Sequence, residues 1–134
     1  AQVVAPIQKG EADMVLGVRR GIDGDVGTIL PHARFGNHLV LGLTQLLFSH
    51  SFADLPPFRA VSFSDLLALQ MDDRSWGWTL QMQIRAVRRE LRIVEVDVTH
   101  RRRREGVSKI SGNLTMPLRV GAKMFYTLAR ERLR

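Results

Sequence analysis

A run of basic residues is the part of this sequence with the most evident chemistry. Residues 101–109 read RRRREGVSK and directly follow a predicted strand. Arginine binds phosphate oxygens through paired N–H donors, lysine adds a point charge, and glycine lets the backbone turn toward an anion. The run therefore predicts a phosphate-binding loop. Composition alone leaves an alternative open, which is a solvated basic loop or a surface patch for nucleic acid.

A proline-rich turn is the second candidate for ligand contact. It runs from Asp54 to Arg59 and contains two consecutive prolines. Such a rigid turn could position a hydroxyl-bearing or phosphorylated ligand. An Asp at a turn start with an Arg as its ion-pair partner is also common scaffolding, and the residues alone favour that structural interpretation.

A tryptophan pair is the third candidate. Trp78, Met82 and Arg85 share one helical face, which predicts that Trp78 and Met82 belong to the core. Trp76 lies at the edge of the preceding loop. It is therefore the better candidate for ligand contact.

Several kinds of site are excluded by what the sequence lacks. The four histidines, His32, His38, His50 and His100, show no zinc-ligand spacing and have no carboxylate pairs around them, so no metal site is predicted. No G-x-S-x-G, Walker-type loop or dinucleotide fingerprint occurs, so nothing supports a hydrolase, an NTPase or a dehydrogenase. The absence of cysteine rules out disulfides and makes a reducing, cytosolic environment the default.

The charge of the chain indicates an anionic partner. The formal net charge is +7, concentrated in residues 85–104 and 119–134, which suits phosphate, nucleic acid or an acidic membrane surface. The most apolar stretch, residues 39–48, is about half the length of a membrane-crossing helix. Residue 1 is Ala and residues 2–10 do not resemble a signal peptide, so we expect the chain to be excised from a longer protein.

The elements that must position these groups follow from hydrophobic periodicity. The predicted order is helix, strand, helix, strand, helix, helix, strand, helix, which is typical of an α/β sheet. We expect helices over residues 2–9, 31–49, 65–70, 78–90 and 114–133, and strands over residues 13–19, 58–61 and 91–98. Ser62 or Ser64 should cap the third helix, and the two prolines make 58–61 an edge strand or a late-starting one.

The last predicted helix is basic and amphipathic. Arg119, Lys123, Arg130 and Arg132 are interleaved with its apolar residues. Two roles stay open for it. It could lie among lipid headgroups, or it could pack residues 116, 120 and 124 onto the domain.

Taken in order, these segments resemble the second half of a family 2 glycosyltransferase of the polyprenyl-phosphate (dolichyl-phosphate mannosyltransferase-like) kind. Residues 10–19 (GEADMVLGVR) are similar to that family's GEADLVIGSR strand, and residues 34–37 (RFGN) follow on a helix. Residues 54–59 are similar to D-x-x-x-FRA, residues 77–83 to GWT-x-EMQ and residues 103–109 to RR-x-G-x-SKI. The similarity covers roughly residues 5 to 125, and the order of the motifs is more specific than any one of them.

The resemblance implies a partial GT-A (Rossmann-like) α/β fold, a mixed sheet with flanking helices. Residues 1–113 would form the C-terminal part of that domain, and residues 114–134 the basic helix. In this family the N-terminal half holds the nucleotide pocket and a D-x-D motif for a divalent metal. We therefore expect no cofactor on these residues and Mg or Mn in the complete enzyme. Asp23-Gly24-Asp25 spells D-x-D but lies after the strand, not before it, and is taken as coincidence.

The resemblance also implies roles for individual residues. Arg19 and Arg34 would face the diphosphate or the acceptor phosphate, and Asp54 with Arg59 would shape the acceptor side. On the loop after the last strand, phosphate would be held by Arg103, Ser108 and Lys109. Trp76 and Gln81 are possible ligand contacts, but Gln81 stands where many relatives have Glu, so no acid–base role is assigned to it.

The implied activity is transfer of a sugar, with inversion, from a nucleotide sugar to a polyprenyl phosphate. The protein would be peripheral to the cytoplasmic face of the membrane, and these 134 residues alone would be inactive. A phosphate monoester with a second pKa of about 6 is already largely dianionic, so it needs positioning and charge neutralisation more than a base. The alternative function is a non-catalytic basic module that binds RNA or anionic membrane.

Overall fold

The structure, a computed structural model, describes residues 2–19, 31–99 and 115–134, with the side chains of 31–34 and 115 excepted. Its elements are α1 (Ala5–Gln8), β1 (Met14–Val18), α2 (Pro31–Phe48), β2 (Arg59–Val61), α3 (Phe63–Ala68), α4 (Trp78–Arg88), β3 (Ile93–Asp97) and α5 (Thr115–Leu133). The predicted order of elements is confirmed. The first helix is shorter than predicted, a single turn that begins at the residue before Pro6.

The three strands form one mixed sheet in the order β2-β1-β3. β1 is antiparallel to β2, with Leu16 opposite Arg59, and parallel to β3, with Leu16 opposite Glu95. Every residue of β1 is buried, as its uninterrupted apolar sequence requires for a central strand covered on both faces. The α/β fold with a mixed sheet and flanking helices is confirmed.

Helices cover one face of the sheet. Met14 and Leu16 of β1 pack there against Leu41 of α2 and Met82 of α4, and all four are less than a tenth exposed. Alternate residues of a strand point to opposite faces, so Val15 lies on the other face, in a smaller cluster with α1.

α5 forms an outer layer on the helices. Leu128 and Met124 pack into a cluster with Val40 of α2 and with Leu80 and Ile84 of α4. The domain-packing role left open for this helix is therefore realised through its second half. None of the described helices has the length and hydrophobicity to cross a membrane.

Local signals explain where α3 begins. Ser62 has extended backbone angles, and its hydroxyl accepts a hydrogen bond from the Asp65 N–H at 3.0 Å, as a helix N-cap does. Of the two predicted caps, Ser62 is therefore the one used. Because α3 follows β2 directly, this cap fixes the end of the edge strand.

Candidate functional site

The candidate site lies at the edge of the sheet where the parallel strands end. Arg19 directly follows β1, and β2, which runs the other way, begins at Arg59. The segments 20–30 and 100–114, which lie outside the described residues, follow Arg19 and Thr99 at this same edge. Ligands of open α/β sheets bind at the carboxyl ends of the strands. The topology thus places the attachment points of both predicted loops beside the proline-rich turn.

A bidentate ion pair joins two of the predicted residues. Arg19 Nε donates to Asp54 Oδ2 at 2.7 Å, and Arg19 Nη2 donates to Asp54 Oδ1 at 2.8 Å. Oδ1 also accepts from Asn37 Nδ2 at 3.2 Å and from the Leu55 N–H at 2.8 Å. The backbone carbonyl of Asp54 accepts from Gln83 Nε2 at 3.1 Å. Both carboxylate oxygens are therefore already occupied within the protein.

The charges of this pair are mutually balanced. Burial by itself raises the pKa of Asp54, but the hydrogen bonds and charge of Arg19 outweigh it, and the pKa lies below the usual range. The hydrogen bonds that Arg19 donates to the Asp54 carboxylate in turn raise the pKa of Arg19. Asp54 stays ionised at neutral pH, so the pair brings little net positive charge to the site.

Arg59 has a different environment from Arg19. Its guanidinium donates to the carbonyl of Thr79 at 3.0 Å and to the carbonyl of Pro56, and its Nε is buried without a partner. Among the described residues no carboxylate pairs with it. Burial lowers the pKa of Arg59 to about 10, which leaves it charged at neutral pH. No carboxylate in the described ranges therefore offsets the charge of this mostly buried cation.

The first turn of α4 contacts Arg59 through a backbone carbonyl, that of Thr79. No side chain caps this helix, and its first turn contains no acidic residue. The Asp73 carboxylate nevertheless lies close to the N-cap residue Gly77. The positive end of the helix is therefore near an anionic group of the chain itself, and Arg59 is the cation of this region that an anionic ligand would complement.

One of the two tryptophans borders this cation. The Trp78 ring lies 5.7 Å from the guanidinium carbon of Arg59, a cation–π distance. Trp78 is 37% exposed, so the prediction that it belongs to the core is wrong, whereas Met82 is buried as predicted. Trp78 is the first residue of α4, where no preceding turn covers it. Trp76 is 39% exposed, which is compatible with its predicted role as a ligand contact.

Gln81 lies inside the protein. Its Nε2 donates to Asp72 Oδ1 at 2.6 Å and to Glu131 Oε1 at 2.8 Å, while its Oε1 accepts the N–H groups of Asp72 at 3.2 Å and Asp73 at 3.0 Å. All four hydrogen-bonding positions of the amide are used within the chain. Ligand contact by Gln81 stays a prediction. The structure assigns the amide to holding the 71–77 loop.

Glu131 is a residue of this region that the sequence did not signal. It is 1% exposed and lies near the end of a helix whose charges are otherwise basic. An isolated Glu among arginines predicts a surface ion pair, and only the packing of α5 on α4 brings it beside Gln81, 50 residues away.

Four of the predicted phosphate ligands have side chains that lie outside the described residues. Arg34 lies on α2 one turn before Asn37, and its side chain is outside the described residues. Arg103, Ser108 and Lys109 lie outside the described residues altogether, as does the D-x-D sequence at 23–25. Their roles stay predictions.

The arrangement of acidic and histidine side chains bears on whether a divalent metal could bind here. No three His, Asp or Glu side chains in the described ranges come together as metal ligands would. Two acidic groups near the site edge already have partners, Asp54 in Arg19 and Glu95 Oε1 in the Ala53 N–H at 2.9 Å. The divalent metal that the resemblance implies therefore does not fit these residues.

An exposed apolar stripe runs along α5, on a different side from Met124 and Leu128. Leu118, Phe125 and Leu133 are 75%, 42% and 88% exposed. Their spacing, with exposed alanines at 122 and 129, places them on one helical face. The basic residues Arg119 and Arg132 are also exposed. The helix thus has one apolar face in the domain and another in solvent.

Comparison with known proteins gives one consistent result. Proteins from Mycobacterium bovis and from two strains of Mycobacterium tuberculosis are each 35% identical to the chain over 120 residues. Each is named an uncharacterized glycosyltransferase. The match covers 84% of this chain and 50% of each relative, so the chain spans about half the length of these relatives. No protein-family model and no solved structure matches the chain.

Proposed function

We propose that this chain is the acceptor-side part of a family 2 glycosyltransferase, a hexosyltransferase that transfers a sugar from a nucleotide sugar to a polyprenyl phosphate. The similarity to proteins named glycosyltransferases supports glycosyl transfer in general. One observation carries the finer assignment to a phosphate acceptor. Arg59 is a mostly buried cation with no carboxylate partner among the described residues, at the ligand-binding edge of the sheet.

Two arginines at this edge have different roles in the proposal. Burying a charge without a partner is unfavourable, so an unpaired cation is retained where a ligand supplies the opposite charge. Arg59 meets that description among the described residues. Arg19 does not, because Asp54 already neutralises it. Arg59 therefore binds the acceptor phosphate, while the Arg19–Asp54 pair holds the turn from which Arg59 projects.

The proposed chemistry needs no general base on these residues. An oxygen of the acceptor phosphate attacks the anomeric carbon and forms the new C–O bond. The bond from that carbon to the nucleoside diphosphate breaks, and the diphosphate takes the electron pair. Attack opposite the leaving group inverts the configuration. Because the acceptor oxygen is already anionic, no proton has to move, and cations need only position the two phosphates and neutralise their charge.

The exposed stripe on α5 supports a lipid acceptor. An apolar helical face with basic residues beside it suits the headgroup layer of a membrane, where each cation near an anionic surface contributes about 1 kcal/mol. Leu118 and Leu133, each at least 75% exposed, would enter the acyl boundary. The protein would then sit peripherally on the cytoplasmic face, where it meets a polyprenyl phosphate.

The donor and the metal are assigned to a nucleotide-binding half that these residues do not contain. In the proposal that half supplies the nucleotide-sugar pocket and binds Mg or Mn. The described residues supply the acceptor side only, so transfer requires both parts.

The test is a transfer assay on the complete protein with a radiolabelled nucleotide sugar and a short-chain polyprenyl phosphate. Labelled lipid should form, and Arg59→Met should reduce kcat/KM about 100-fold, as loss of one charge-stabilising donor does. Phe63→Glu, which replaces a 74% exposed residue on α3, is the matched control. The proposal fails if the phosphate-free polyprenol is an equal acceptor, or if only RNA binding with a steep salt dependence is detected.

A further inference from the structure

The 71–77 loop, which carries Trp76, is joined to α5 by charged groups that are largely buried. Asp73 and Glu131 are 4% and 1% exposed. Both belong to contacts between segments about 50 residues apart in sequence. A loop attached in this way has its shape set by the helix.

Glu131 is the centre of these contacts. Its Oε1 accepts from Gln81 Nε2 at 2.8 Å and from Arg85 Nη2 at 2.9 Å, and its Oε2 accepts from Arg85 Nε at 3.0 Å. Burial raises the pKa of Glu131, but the hydrogen bonds from Arg85 and Gln81 outweigh that effect and lower it overall. The carboxylate therefore stays ionised and holds both side chains of α4 at neutral pH.

Gln81 transmits this contact to the loop. Its Nε2 donates both to Glu131 Oε1 and to Asp72 Oδ1, and its Oε1 accepts the N–H groups of Asp72 and Asp73. An amide side chain that has both ends bound cannot rotate without losing hydrogen bonds at each end. Of the two acceptors that orient the amide, Glu131 is the one through which α5 acts on the start of the loop.

The rest of the loop lies directly against α5. Lys123 Nζ is 2.8 Å from Asp73 Oδ2, and the Asp73 Oδ1 accepts the Ser75 N–H at 2.8 Å. A Cβ atom on Gly77 would lie 2.3 Å from Thr127 Oγ1, so no side chain fits between the loop and the helix there. The loop then ends at Trp78, whose ring faces Arg59.

We propose that Glu131 is a positioning residue of the acceptor site, which acts through Gln81 to fix the 71–77 loop and so the placement of Trp78, which follows that loop, beside Arg59. The proposal rests on the proposed function for the nature of the ligand. The coupling from Glu131 to the loop is a property of the fold. α5 thus links the surface that would meet the membrane to the loop that borders the acceptor phosphate.

The coupling is tested by ¹⁹F NMR on the protein labelled with 5-fluorotryptophan. The chain has two tryptophans, so Trp76→Phe and Trp78→Phe assign the two resonances. Glu131→Gln keeps the volume and removes the charge, and it should move the Trp76 resonance by more than its line width. The control is Asp13→Asn, which breaks the exposed ion pair between Asp13 and Arg92 at the sheet. It should leave the Trp76 resonance unmoved.

A second variant keeps the test decisive if Glu131→Gln does not fold. Lys123→Met removes the other link between α5 and the loop at a side chain that is 28% exposed, and it should move the same resonance. An unmoved Trp76 resonance in the folded variants, or an equal movement in Asp13→Asn, overturns the coupling.

A kinetic measurement tests the role in the site. When the concentration of the polyprenyl phosphate is varied, Glu131→Gln should raise the KM for this acceptor about tenfold, which corresponds to a loss of about 1.4 kcal/mol in its binding free energy. The kcat should change much less. Unchanged KM for the acceptor overturns the positioning role even if the resonance moves. If the wild-type protein transfers no sugar, the proposed function fails, and the ¹⁹F result still decides whether Glu131 controls the loop.

Discussion

The guanidinium of Arg19 and the carboxylate of Asp54 meet in a bidentate ion pair across 35 residues of sequence. Arg92 and Asp13 form a pair with similar geometry, Nε to Oδ2 at 3.0 Å and Nη2 to Oδ1 at 2.6 Å. The side chains of the first pair are 24% and 7% exposed, and those of the second are 58% and 26% exposed. The two ion pairs therefore have similar hydrogen-bond geometry and differ in burial, so a difference in their contributions to stability reports on burial.

Asp54→Asn should destabilise the fold much more than Asp13→Asn. The first substitution leaves a partly buried guanidinium without its charge partner, for which we expect a loss of about 2 kcal/mol in the free energy of unfolding. The second breaks a pair that water already screens. Urea unfolding of both variants measures the difference, and equal losses would contradict the structural role assigned to the Arg19–Asp54 pair.

Arg59→Met should reduce acceptor use with little effect on stability. The substitution removes a charge that burial disfavours, and this gain offsets the lost hydrogen bonds to the carbonyls of Pro56 and Thr79. We expect the free energy of unfolding to change by no more than about 1 kcal/mol. A large loss of stability together with unchanged acceptor KM would show that Arg59 is scaffolding.

Stability should fall as the pH drops below about 4.5. The pKa of Asp72 is about 2 in the fold, against an ordinary value of 3.8, because hydrogen bonding by Gln81 and the charge of Arg85 outweigh the effect of burial. The pKa values of Asp54, Asp73 and Glu131 are also lowered. The unfolded chain therefore binds more protons than the fold between pH 4.5 and about 2, and the stability contributed by these groups is lost across that window.

Urea midpoints measured from pH 7 to pH 2 give the profile. They should be nearly constant above pH 5 and decline below it, and Asp72→Asn should make the decline shallower. A midpoint that rises on acidification would be inconsistent with these lowered pKa values.

Gly77→Ala and Gly42→Ala should have opposite effects. A Cβ at residue 77 would overlap Thr127 Oγ1 and Asp73 Oδ2, so these side chains or the loop backbone must shift, at about 1–3 kcal/mol. At Gly42, in the middle of α2, nothing lies within 4 Å, and alanine should stabilise the helix by about 0.5–1 kcal/mol. Thermal unfolding of the two variants tests this. A neutral Gly77→Ala would mean that the loop is not packed on α5 as described.

Phe125→Glu should weaken binding to anionic vesicles. Phe125 is 42% exposed on the apolar stripe of α5, so the added charge places a carboxylate where acyl chains would lie. The matched control is Phe63→Glu on α3, where the phenylalanine is 74% exposed away from that stripe. Vesicle sedimentation at fixed salt compares the variants. Equal vesicle binding by both variants would show that α5 is not the membrane-facing surface.

The order and approximate bounds of the elements could be predicted from the sequence because their signals are local. The alternation of side chains in strands, the 3.6-residue helical period and the two prolines before Phe58 act over a few residues. The same patterns identified Asp54, Arg59 and Trp76 as residues near a turn or loop, and the fold places Asp54 and Arg59 at one edge of the sheet and Trp76 in the loop before α4. Trp78 was misassigned because helical spacing defines a face without showing whether another element covers it.

Charge pairing was decided only by the tertiary structure. Whether Asp54 neutralises Arg19 or Arg59, which lies five residues from it, depends on which guanidinium the sheet brings within 3 Å, and the fold selects the more distant residue. In the same way Glu131 becomes a buried partner of Gln81 only when α5 packs on α4. An ion pair depends on distance and on exclusion of water, and neither quantity exists until the chain is folded. The sequence thus determined which cationic groups the protein has, and the fold determined which of the described ones is paired with a carboxylate and which is not.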